Sequence, residues 1–161
     1  MAVLPFDVPE TFAPPGNDAV NYGRELARKF EMELHSAGTV PIVELFDRDR
    51  WPGKREEFFK GNYRAIELAR AAGYDLVLVG YLEELRDPTM MTIYTKIIDT
   101  QNQVTVWSAQ TIVYSDARTI RTGMSKLELV KERPELFHFP ERTDEVARCT
   151  VDSIINEEPV P

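Results

Sequence analysis

The chain has 161 residues, of which 43% are hydrophobic and 29% charged, the make-up expected of a single globular domain spanning residues 1–161 and not of a disordered tract. Nineteen Lys and Arg against 27 Asp and Glu leave a net charge of −8, which excludes a general basic field for a phosphate backbone, so nucleic acid is not an expected partner. The single cysteine, Cys149, excludes an internal disulfide and a cysteine-based zinc site, and no apolar run reaches the roughly 18 residues of a membrane span.

Residues 2–6 are a short apolar run, and Pro5, which lacks a donor, can end a strand. Residues 7–17 carry Pro9, Pro14, Pro15 and Gly16 and read as a loop. From Asp18 the period changes: Val20, Gly23, Ala27, Phe30 and Leu34 share one helical face, with charges on the other. Asn17 or Asp18 suits the N-cap and Gly38 the C-terminal stop. Residues 40–45 read as a second strand, followed by a charged, aromatic stretch, 46–62, with Trp51-Pro52-Gly53 as a turn. A second helix is expected over 63–72 on Ala65, Ile66 and Ala69, ended by Gly73. Within 74–82, Leu76-Val77-Leu78-Val79 is apolar on both faces, the pattern of a strand covered on both sides.

Residues 90–98 and 104–114 are β-rich runs whose connection, Asp99 to Gln103, predicts an antiparallel hairpin with Asn102 in the left-handed conformation. Its register stays open, because a slip of one residue exchanges Ile93 and Ile97 for Tyr94, Lys96 and Ile98 on the inward face. Ser125 with Glu128 resembles a capping box for a short helix that Pro134 must end. Residues 137–140 read as extended, with Thr143 capping a last helix on Val146, Thr150, Val151 and Ile154. The expected fold is α/β, a mixed sheet in two or three layers with the order β-α-β-α-β-β-β-α. Its first three strands are parallel through right-handed crossovers and the last two form an antiparallel hairpin.

No constellation of catalytic residues emerges. The two histidines, His35 and His138, are about a hundred residues apart; His35 suits the C-terminal end of a helix dipole and His138 an anchoring segment. Cys149 sits near the apolar face of the last helix, where packing accounts for it better than nucleophilic chemistry. Glu44, Asp47 and Asp49 offer oxygen ligands, but Arg48 and Arg50 alternate with them and the pattern of a calcium loop is absent. No glycine-rich phosphate loop or nucleophile elbow occurs. No catalytic, cofactor-binding or metal-binding residue is therefore assigned and no cofactor is expected. A small hydrolase using Asp7 or the acids at 44–49, acid-based or metal-dependent, is the alternative of a different class. Trp51, Phe58 and Phe59 are the candidate protein-interaction residues; they either anchor a partner or fold back over the sheet edge as a satellite cluster.

Residues 2–6, the amphipathic helix, the strand ending near Glu44 and Ala71-Ala72-Gly73-Tyr74-Asp75-Leu76-Val77-Leu78-Val79-Gly80 together resemble a bacterial envelope lipoprotein superfamily. Ile97-Ile98-Asp99-Thr100 and Val106-Trp107-Ser108 add to the likeness. The group includes the TolB amino-terminal domain, CsgG, LpoB and PelC. The resemblance covers about residues 2–115 and, more loosely, 143–157; residues 46–62 and 116–142 lie outside it. Gln101-Asn102 replaces the glycine usual in the hairpin. It implies a non-catalytic, periplasm-facing lipoprotein domain anchored to the outer membrane. Such a domain would act in assembly, secretion or export, or regulation, through contacts with itself or with envelope proteins, one alternative being an activator docking on a cell-wall synthase. Because a core strand follows Met1 directly, the signal and acylated cysteine are expected upstream of this chain.

Overall fold

In the computed structural model, residues 1–9, 19–47, 54–83, 90–114, 120–122, 125–126 and 139–156 are described. Their elements run β1 (Ala2–Val3), α1 (Ala19–Ala37), β2 (Glu44–Leu45), α2 (Lys54–Phe58), α3 (Tyr63–Ala71), β3 (Leu76–Leu82), β4 (Met90–Asp99), β5 (Val104–Tyr114), β6 (Ile120–Thr122), β7 (Ser125–Lys126) and α4 (Phe139–Asn156). The strands form one mixed sheet in the order β2-β1-β3-β4-β5-β6-β7. As the sequence predicts, β1 pairs in parallel with β2 and with β3, and β3-β4-β5 is an antiparallel meander.

Both faces of the central strands are covered, so the choice between the two hairpin registers dissolves. Met91, Ile93 and Ile97 join Val3, Phe6, Leu78 and Leu82 beneath α1 and α4, while Ile98 joins Leu4, Val77, Val79 and Tyr81 beneath α2 and α3. Burying apolar side chains on both sides of β3 is what the continuous apolar run Leu76 to Val79 encodes. In the first layer Phe6 and Phe30 pack with ring centroids 4.9 Å apart. Gly23 lets α1 approach the chain there: a methyl group on it would lie 1.9 Å from the Phe6 carbonyl oxygen, and the Gly23 carbonyl accepts from the Phe6 N–H at 3.0 Å.

Gly38 and Gly73 follow α1 and α3 with φ of 68° and 87°, the stops expected of them. Other expectations are corrected. A further helix, α2, lies within the stretch read as irregular; at five residues it is too short to carry a helical period. Only Glu44–Leu45 of the expected 40–45 strand pairs. Ser125 opens no helix: Ser125 and Lys126 pair with Thr122 and Arg121, so sheet growth overrides the local capping pattern. The last helix begins at Phe139, and Thr143 is buried inside it instead of capping it. Pro140 in the first turn suits this, since proline needs no N–H there. In the hairpin, Gln103 and not Asn102 is left-handed, with φ 58°. Asn102 is held otherwise: the Asp99 carboxylate accepts from the N–H groups of Gln101 and Asn102 at 2.8 and 2.9 Å and from the Asn102 side chain at 2.9 Å. The N-cap candidates Asn17 and Asp18, and Glu128, Pro134 and residues 137–138, lie outside the described residues.

Candidate interaction surface

Phe58, the last residue of α2, is 3% exposed and packs into the second core layer. Its ring meets Tyr81 edge-on at 4.9 Å and Tyr94 at 6.4 Å. Tyr81 and Tyr94 face each other in the β3–β4 register and stack at 4.9 Å with an 11° angle between rings. Phe59 is 68% exposed; one edge of its ring rests on Phe58, Tyr81 and Tyr94, at 5.4 to 6.1 Å, and the rest faces outward. Tyr63, at the start of α3, is 62% exposed. Of the sequence's aromatic candidates, Phe58 is thus a buried support and Phe59 an exposed ring. Trp51 lies outside the described residues.

Sequence reasoning missed Lys96. From β4 its Nζ lies 4.3 Å from the Phe58 ring centroid and donates to the Phe58 carbonyl at 2.6 Å, so the ammonium closes the C-terminal end of α2. The Asn62 side chain donates to the same carbonyl at 3.3 Å. Burial holds the Lys96 pKa below the usual lysine value. Tyr94 Oη donates to Glu83 at 3.3 Å and accepts from Gln110 at 3.2 Å. The signal for this cluster was present in the alternation Thr92, Tyr94, Lys96, Ile98, but it needed the strand register to be read.

On the same side of the sheet, Ser108 and Gln110 of β5 are exposed. They pair with Lys96 and Tyr94 in register. The register shifts at Ile97/Ile98, leaving Val106, 56% exposed, without a counterpart on β4. β6 pairs only with Thr111 to Val113, so among the described residues the 104–110 half of β5 forms an outer margin of the sheet.

The other sequence candidates are scattered. His35 is exposed in the last turn of α1. Cys149 is half-buried against the α1–α4 layer, and burial raises its thiol pKa, against the smaller opposing influence of Arg148. Asp47 pairs with Arg24 at 2.6 Å, and Glu44 accepts a hydrogen bond from Tyr74, whose pKa that bond raises. Asp7 joins β3 through its backbone, donating to Gly80 at 3.1 Å and accepting from Leu82 at 2.8 Å. Arg48, Asp49, Arg50 and His138 lie outside the described residues. Among the described residues, no three His, Cys, Asp or Glu side chains are grouped to hold a metal ion, and no helix is long and apolar enough to cross a membrane.

No family model matches the chain, and no curated protein matches it. Among solved structures, the PelC dodecamer from Paraburkholderia phytofirmans is similar at a TM-score of 0.56 and 19% identity, over 98% of this chain and 87% of that one. A second structure of that dodecamer, of a single-substitution variant, gives 0.52 and 20% identity over 93% and 84%. The lipoprotein GNA1162 from Neisseria meningitidis gives 0.46 and 19% over 97% and 96%. The chain has the fold of the PelC structures, which is the fold that the sequence resemblance implies.

Proposed function

We propose that the chain works as one domain through protein–protein contacts, as the periplasm-facing part of an outer-membrane-anchored lipoprotein, and not by catalysis. It assembles with itself or with an envelope machine for assembly, export or regulation. The observation that carries this reading is the exposed ring of Phe59, which stands on the rings of Phe58, Tyr81 and Tyr94 from the second core layer and, among the described residues, on the side of the sheet where Ser108 and Gln110 of β5 are exposed. Rigid aromatic side chains with a buried base are what protein contacts use as anchors. Trp51 belongs to the same connection in sequence and is proposed as part of the contact set, with Phe58 as its support. The whole-length likeness to PelC, which forms a dodecamer, supports assembly as the mode of action.

Light scattering on the purified chain and on Phe59→Ser tests this. A molar mass severalfold above the 18.5 kDa of one chain, reduced by Phe59→Ser, is the result expected of self-assembly. A monomer shifts the reading to a different envelope protein, to be found by cross-linking from position 59. Turnover of ester, phosphate or glycoside substrates by the purified chain would contradict the reading.

A further inference from the structure

The position of Lys96 asks for more than the fold needs. Its ammonium has three N–H donors. One serves the Phe58 carbonyl, which Asn62 also serves with a neutral amide. A neutral donor at position 96 would close that helix end without placing a charge in an aromatic, partly dehydrated setting. Among the described residues, Lys96 has no carboxylate partner; its contacts are the Phe58 carbonyl and the rings of Phe58 and Phe59, at 4.3 and 5.9 Å. The fall in its pKa has burial as its cause. A chain with eight more acids than bases has no shortage of carboxylates that could have filled the place. The ammonium is thus only partly buried and keeps donors to spare, beside the exposed ring of Phe59 and across from the exposed Ser108.

We propose that Lys96 and Phe59 form a two-part socket for an acidic segment of another protein. The segment lies across Ser108 and Gln110, places a carboxylate on the Lys96 ammonium and rests a large apolar residue against Phe59. Charge complementarity selects the occupant: a carboxylate supplies the missing counter-charge where partial burial strengthens the attraction. The ring beside it supplies the apolar half of a contact in which water is excluded around an ion pair. The proposal rests on the protein-contact reading above and names the chemistry of that contact.

The test is selection of short displayed random peptides on the immobilised full chain, followed by binding measurements on variants. Lys96→Met removes the charge but also loosens α2, so the deciding variant is Ser108→Glu. It offers Lys96 a carboxylate from its directly opposite neighbour on β5 and leaves α2 untouched. Enriched peptides are expected to carry Asp or Glu next to a large apolar residue, and to bind about tenfold or more weakly to Ser108→Glu, to Lys96→Met and to Phe59→Ser. Peptides without an acid, peptides indifferent to Ser108→Glu, or no enrichment at all would overturn the socket. Acid-free peptides that still depend on Phe59 would leave the protein-contact reading standing. Enrichment of this chain's own acidic stretches, with a molar mass that falls on Ser108→Glu, would make the occupant a second copy and overturn the assignment to another protein.

Discussion

Helices α1 and α4, 19 and 18 residues long, lie over one side of the sheet, where the apolar layer reaches from Leu45 at one margin to Trp107 and Val113 of β5. Helices α2 and α3 have only 5 and 9 residues, and the layer beneath them stops at Ile98 and Tyr94 of β4, leaving Ser108 and Gln110 of β5 exposed. The first side buries a wide apolar layer beneath its helices, which expose Met32 and Ile155. The second leaves Phe59 exposed beside Lys96, which has no carboxylate partner among the described residues. On the proposed reading, folding and binding are divided between the two faces of one sheet.

Substitutions on the two sides should therefore differ in kind. The largest effect is expected from Phe30→Ala, which empties the centre of the α1–α4 layer and should cost about 3–5 kcal/mol, lowering the whole denaturation midpoint in a single transition. Phe58→Ala should cost less, about 3 kcal/mol or below, because the neighbouring rings can close over the gap. Hydrogen exchange should show α2 and α3 losing protection while α1 and α4 keep theirs. If both substitutions loosen all four helices alike, the division between faces is wrong.

Ser108→Glu sharpens the comparison in the opposite direction. A cross-strand pair of opposite charges should stabilise the fold by about 0.2–1 kcal/mol, measured by urea denaturation, while removing binding. Stability given up at position 108 would then be stability withheld for a partner. The smallest effect is at the hairpin. The N–H of Asn102, then its side chain and the N–H of Gln101, hold the Asp99 carboxyl below its usual pKa. A depressed carboxylate contributes stability that is present above its unfolded value and lost as pH falls through the lower folded value. Asp99→Asn should accordingly lower the neutral midpoint slightly and leave the acid midpoint unchanged, flattening the acid end of the stability profile, as thermal melts between neutral and acid pH would show.

Much of the scaffold was legible in the sequence because its signals are local. The 3.6-residue spacing through Ala27, Phe30 and Leu34, the unbroken apolar run at Leu76 to Val79 and the stops at Gly38 and Gly73 each act within one element. What escaped depends on contacts distant in sequence or on elements too short to have a period. Helix α2 is one turn and a fraction, and its anchor, Lys96, is 38 residues away. Ser125 carries a helix-start pattern, yet its backbone joins a strand that β6 presents. The paired aromatics behaved similarly: Phe58 and Phe59 read as equals in sequence, and only the position of Tyr81 and Tyr94 separates a buried ring from an exposed one.

The most direct test is photo-cross-linking from chosen positions in the native cells, with a benzoyl-phenylalanine placed at Phe59 or Ser108 on the α2–α3 side and at Met32 or Ile155 on the outer surfaces of α1 and α4. A contact face on the α2–α3 side predicts discrete cross-linked species, to another protein or to a second copy, from positions 59 and 108 and none from 32 and 155. Equal cross-linking from all four positions, or species only from 32 and 155, would contradict it.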